Sequence, residues 1–277
     1  MSIHTSVARP RRRFSAAVCG VSAIAIGACA PLDDSSNNNR YGSITLRATG
    51  SAQQEFPITP TAVFFTGGQT DLPTSATTVD QCSQAPFFGE QISPGNIVAG
   101  SPLTLQIGGE SFNMTETPAA PRVYTLPPAV RALYAVGDTA TVTVPGVAGG
   151  FPGGRVSVRL SEPVMLGSLA EVVPGQSYLI IWATNGDQRS GIVISMRYAA
   201  GAAAQGANQQ VLCNVRDDGT YTFQGAQLLA WASSNALFRS INVLRWRSNT
   251  AAVDARSTLY IVSTIDTTAT SAFNAPQ

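Results

Sequence analysis

The chain has 277 residues, enough for one or two ordinary domains, and is 44% hydrophobic but only 12% charged. All 17 basic residues are arginine, lysine is absent, and the only histidine is His4. Lysine and histidine chemistry is therefore almost excluded, and the low charge without any long apolar run excludes both a helical membrane bundle and a highly charged disordered tail.

Arg9, Arg11, Arg12 and Arg13 precede an uncharged apolar stretch from Phe14 to Ile26. That is the layout of a secretory signal, too short for a permanent membrane span. The stretch ends in Ile26-Gly27-Ala28-Cys29, which resembles the lipobox of bacterial lipoproteins. The resemblance implies that residues 1–28 are removed and that the Cys29 thiol receives a diacylglycerol, so that the membrane is a partner through lipid. An ordinary secretory signal cut after Ala28 or Ala30 is the alternative. Ala30 stands where an inner-membrane retention signal has Asp, so the resemblance further implies the outer membrane. Arg11-Arg12-Arg13-Phe14 also partly fits a twin-arginine signal, from which Pro10 and Ser15 depart. Loss of residues 1–28 leaves thirteen arginines against sixteen acidic residues, a net charge of about −3. A weakly acidic, lysine-free chain is a poor partner for nucleic acid.

From Ala30 to Arg40 the chain is polar and without period, and residues 29–41 are read as a flexible tether. Short runs rich in Val, Ile, Thr and aromatics then recur between Gly, Pro, Asn and Asp, the pattern of an all-β sandwich. Ser43 to Thr49, Thr61 to Thr66, Pro102 to Ile107, Arg122 to Leu126, Thr139 to Val144 and Arg155 to Leu160 are assigned to a first β-sandwich domain, residues 42–167. A second sandwich is expected over residues 168–266, with 267–277 as a frayed tail. One larger sandwich of about 225 residues is the alternative. Arg155 to Leu160 and Gly191 to Tyr198 alternate as strands with one wet face, whereas Tyr178 to Thr184 and Ser257 to Thr264 are apolar on both faces and expected to be central. Gln224 to Trp231 fits one or two helical turns.

Leu179-Ile180-Ile181-Trp182, the turn Asn185-Gly186-Asp187 and the strand from Ile192 to Tyr198 resemble an immunoglobulin or fibronectin type III domain, in which a buried Trp anchors two sheets. Trp182-Ala183-Thr184, Val211-Leu212-Cys213-Asn214-Val215, Asp217 to Phe223 and Gln227-Leu228-Leu229 are similar to a pattern in uncharacterised lipoproteins of myxobacteria and related bacteria. In those proteins a Gly-rich sandwich module comes first, similar here to Ala99 to Thr104 through Gly137-Asp138-Thr139. That likeness implies a fold and a location, not an activity.

Few residues are placed for chemistry. Asp217-Asp218-Gly219 pairs two carboxylates, as a Ca²⁺ site or a glycosidase would, but Asp-Gly between two strand runs reads as a tight hairpin turn. Trp182, Trp231 and Trp246 are candidates for a sugar-stacking platform. Trp182 and Trp231 read as core, and Arg245-Trp246-Arg247 is the candidate binding surface, because alternation sends both arginines to one face and Trp246 to the other. Either Trp246 is core and the arginines are wet, or the strand is an edge whose arginines meet a carboxylate-bearing partner. No serine has a His or Lys base in the processed chain. Cys82 and Cys213 are the thiols left once Cys19 is cleaved off and Cys29 lipidated, and an oxidising compartment invites a disulfide between them. Their assignment to different domains keeps two separate thiols as the alternative. No metal or cofactor is expected. The sequence points to a lipid-anchored envelope protein that meets an envelope protein or a glycan without catalysis. An Asp/Glu glycosidase or lyase is the remaining enzymatic reading.

Overall fold

The computed structural model describes residues 39–50, 55–67, 80–87, 94–185, 187, 190–201 and 204–269. The expected signal, Cys29, the expected tether up to residue 38 and residues 270–277 of the expected tail lie outside the described residues.

Strict alternation makes β1 (Arg40–Thr49) and β2 (Glu55–Thr66) an antiparallel pair that sends Ile44, Leu46, Phe56 and Phe64 into a core. On the other side of β1 lies β15 (Ser257–Ala269), parallel to it over ten residue pairs. The sheet continues through β14 (Ser240–Asp254), β11 (Ser190–Tyr198) and β12 (Gln209–Arg216) to the edge strand β3 (Gln81–Pro86). In the other direction β2 is followed by β6 (Ala120–Thr125), β5 (Glu110–Thr117), β4 (Leu103–Ile107), β8 (Thr139–Val144) and β9 (Gly154–Arg159), while β7 (Ala132–Ala135) pairs with the start of β2. The sheet turns back over itself, so that β9 packs against β14 and β15. Leu103, Leu105, Val142, Val156 and Val158 from the returning leaf meet Ile44, Leu46, Leu259 and Ile261 in this first core. Phe64 lies edge-on to Tyr124, with ring centroids 5.6 Å apart.

A second core lies at the other end of the sheet. Ile192, Ile194 and Met196 of β11, Val211 and Val215 of β12, and Ile241 and Val243 of β14 are covered by a separate two-stranded sheet and a helix. That sheet pairs β10 (Tyr178–Ile181) with β13 (Thr220–Phe223), and the helix is α1 (Gly225–Ala232), which buries Leu228 and Trp231. The Gln227 side chain accepts from the Gln224 backbone N–H at 2.8 Å and so caps the helix start. The molecule is thus all-β and sandwich-like, with one short α-helix and a single 3-10 turn at Ala236–Phe238 among the described residues, and no described helix is long and apolar enough to cross a membrane.

Several expectations need correction. Strand structure begins at Arg40, within the expected tether: its backbone N–H donates to the Arg256 carbonyl and its guanidinium to the Gly150 carbonyl. Likewise β15 extends to Ala269, past the expected tail boundary. Pairing also crosses the expected boundary at residue 167, because β15 supplies Leu259, Ile261 and Ile265 to the first core and β3 joins the second half through β12. The strand β11 is buried on nearly all of both faces rather than wet on one. In β10, Leu179 and Ile181 are 48% and 50% exposed, because nothing among the described residues covers that face.

The edge strand β3 is exposed along most of its length. Its register on β12 sets Cys82 directly opposite Cys213. Directly opposed residues in a non-hydrogen-bonded antiparallel pair lie about 4.5 Å apart, so the ladder itself brings the two sulfurs together. They form a disulfide with S–S 1.96 Å and Cα–Cα 4.1 Å, across 131 residues of chain. Cross-linking so long a loop restricts the unfolded chain strongly. Cys82→Ala with Cys213→Ala is expected to lower the unfolding free energy by about 2–5 kcal/mol, read as a fall in the urea midpoint.

Burial also moves two tyrosines. Tyr134 donates to the Ser161 carbonyl at 2.8 Å, and burial with the nearby Glu162 carboxylate pushes its ionisation well up. Burial pushes Tyr178 up to about 12. Because the folded state raises these groups above the unfolded value of about 10, their contribution to stability is complete below that pH and is lost as pH rises from there towards 12. Tyrosinate absorbance of the native protein should therefore lag that of the urea-unfolded chain through this window.

Candidate functional site

The triplet Arg245-Trp246-Arg247 lies on β14, where that strand passes from one core to the other. The three residues are 2%, 5% and 2% exposed, so they present no binding surface, and the expectation of one is corrected. Alternation does separate them by face, but both faces are covered. Trp246 lies across its register partner Gly191, and a Cβ there would stand only 2.5 Å from the indole. The arginines point inward, towards the cores, because carboxylates from the opposite layer meet them.

Arg245 makes a forked pair with Asp217, Nε to Oδ2 at 2.7 Å and Nη2 to Oδ1 at 3.0 Å. It also donates to the carbonyls of Ala183 at 2.7 Å and Pro163 at 3.1 Å. Arg247 donates through Nη1 to Glu162 Oε1 and to the Leu160 carbonyl, both at 3.0 Å. Its Nη2 and Nε stand at ion-pair distance from Glu162 Oε2 (2.9 Å) and Asp187 Oδ2 (3.2 Å) without hydrogen-bond angles, so charge alone holds those contacts. Arg159 approaches Glu162 from the surface at 3.1 Å. Among the described residues, three guanidinium groups therefore face three carboxylates. Neutral donors complete the shell: Trp182 Nε1 and Ser190 Oγ donate to Asp217, and Asn185 Nδ2 donates to Glu162.

This network accounts for Asp217-Asp218-Gly219. The segment is a turn, with Gly219 at φ +99°, but it is not a hairpin, since β12 belongs to the large sheet and β13 to the small one. The turn carries the chain between layers and drops the Asp217 side chain, 2% exposed, onto Arg245 while Asp218 stays outside. The two carboxylates do not share a site. Among the described residues no three His, Cys, Asp or Glu side chains converge as metal ligands. The tryptophans form no platform either: Trp182, Trp231 and Trp246 are all buried, and Trp231 Nε1 donates to the Arg197 carbonyl.

A further candidate site lies on the other face of the same sheet. A groove of about 780 Å³ crosses it, floored by Leu244 of β14 and by Thr264 and Asp266 of β15. One wall is Arg47 and Thr49 of β1 with Pro57, Thr59 and Thr61 of β2, and the other is Phe87 and Arg197. Register explains the grouping, because Arg47 stands between Thr59 and Thr264, and Asp266 between Thr49 and Leu244. Phe87 continues the β3 ladder through its N–H to the Asn208 carbonyl, and the Arg197 guanidinium lies 4.4 Å from its ring centre. Burial in the groove lowers the pKa of Arg47 and of Arg197, and the Asp266 carboxylate opposes that in both. Both remain cationic, as arginine does at any physiological pH.

Sequence reading missed Arg47, Arg197 and Asp266. The alternation Thr45-Leu46-Arg47-Ala48-Thr49 does mark a polar strand face, but only the order β2-β1-β15-β14-β11 brings the other two beside it. No protein-family model matches the chain, and no curated protein is similar to it.

Removing one partner of a buried ion pair strands the other charge. Asp217→Ala is expected to cost about 3–5 kcal/mol in urea unfolding, and Arg245→Met combined with Asp217→Leu to recover most of that. A single-variant loss below about 1 kcal/mol would put the pair on a level with surface bridges.

Proposed function

We propose that this chain is exported, anchored by acyl chains on Cys29 to the outer membrane, and acts by binding an envelope protein or a glycan rather than by catalysis. The observation that carries the binding reading is the groove on the outward sheet face, where Arg47, Arg197 and Asp266 stand among four threonines. Its size falls in the range of about 300–1,000 Å³ usual for ligand sites. Glycoside hydrolysis uses two opposed carboxylates, whereas the groove's described lining carries one, Asp266. The buried acids Asp217 and Glu162 are occupied by arginines. This favours binding over turnover.

The anchor reading rests on the apolar stretch and on Ile26-Gly27-Ala28-Cys29, followed by a polar segment before the first strand. At about 0.8 kcal/mol per buried CH₂, multiple acyl chains hold a protein at a leaflet, and the tether lets the sheet reach a partner. A glycan is the second reading, supported by the hydroxyl-rich lining of the groove. Cys29→Ala is expected to abolish palmitate labelling and to move the protein from the membrane to the soluble fraction. Labelling that persists in this variant would sink the anchor.

A further inference from the structure

Resting on the reading of this groove as the binding site, we propose that its ligand is an acidic sugar, a pyranose unit bearing one carboxylate as in a uronate-containing glycan. The charge of the described lining points to an anion. Among the described lining residues, Arg47 and Arg197 against Asp266 leave one net positive charge, which matches one carboxylate per sugar unit. Planar guanidinium groups suit planar carboxylates, and the Arg197 guanidinium lies over the Phe87 ring, 4.4 Å from its centre. A phosphate dianion would place two negative charges next to the Asp266 carboxylate, which disfavours it.

The remaining lining selects the sugar. Threonine hydroxyls both donate and accept, and Asp266 accepts only, so together they match the mixed donor and acceptor pattern of ring hydroxyls. Leu244 supplies an apolar floor for ring C–H groups. A simple carboxylic acid would use the arginines but leave the hydroxyl rows along β1 and β2 without a role. The disulfide enters here as a positioning device, because it fastens β3, the strand whose end carries Phe87 to the groove.

The test is isothermal titration calorimetry of the purified full chain in detergent, with an oligogalacturonate, the same oligomer after carboxyl reduction, and inorganic phosphate. The acidic oligomer should bind, and the reduced oligomer and phosphate should bind at least about tenfold more weakly. Arg197→Gln should weaken the acidic oligomer about tenfold, and Thr59→Val, on an exposed position of the facing wall, about threefold with no change in unfolding midpoint. A reduced oligomer bound equally well but lost in Arg197→Gln overturns the acidic specificity while leaving the groove as the site. Binding undiminished in both variants overturns the groove itself, and absence of binding by the acidic oligomer overturns the uronate proposal independently of the membrane anchor, which palmitate labelling decides.

Discussion

Where β14 passes from one core to the other, it turns Arg245 and Arg247 into the interior. An ionised group taken out of water costs several kcal/mol even after relaxation, so two of them on one strand face are tolerated only with full pairing. The pairing comes from three distant segments: Glu162 after β9, the turn at Asp217, and Asp187 before β11. Each of these is placed by meeting its arginine. Along the core face, β14 reads Ile241 and Val243 for the second core, then the two arginines, then Ala251 and Val253 against the first. The polar section keeps the two hydrophobic clusters apart while the backbone ladder runs through unbroken.

The same side chains finish the sheet at β9. That strand would otherwise end in unpaired backbone groups, an invitation to further strand addition. Instead Arg247 donates to the Leu160 carbonyl, Asn249 to the Ser157 carbonyl at 2.8 Å, and Ser263 Oγ accepts from the Ser161 N–H at 2.9 Å. Side chains from the inner face of β14 and β15 thus stand in for a neighbouring strand. The returning leaf is held over the first core by these bonds and by the aliphatic packing beneath it.

With Arg245, Arg247 and Asp217 committed to structure, the outward face sets Arg47, Arg197 and Asp266 around the groove. Cross-strand register places Arg47, Thr264 and Asp266 of its groove on rigid elements. Rigid presentation suits recognition, since little side-chain order has to be created on binding. The one wall that does not come from the central strands is Phe87, held through β3 by the ladder to β12 and by the Cys82–Cys213 bridge. A disulfide at a sheet edge is well suited to an oxidising envelope, the location proposed from Cys29.

Much of the fold was legible because alternation is local. Thr139 to Val144 and Arg155 to Leu160 show their strand periods within a few residues, and Gln224 to Trp231 shows its helical turns. Composition also excludes lysine chemistry and leaves His4 as the one imidazole, a property of the list of residues alone. Arg245-Trp246-Arg247 was legible only in part: the alternation of faces is local, but a wet or a buried arginine depends on whether a carboxylate waits opposite. Asp217 is 28 residues away and Glu162 is 85 residues from Arg247. Leu179 and Ile181 misled for the complementary reason, since their apolar character is local and their exposure depends on which layer lies above. By itself the sequence determined the all-β class, many of the strands and the residue types available for chemistry, whereas β3, β5 and β7 were not read from it. Strand order, the ion network and the groove were decided by the tertiary structure, because the energy of a charge or a hydroxyl depends on neighbours that chain order does not place beside it.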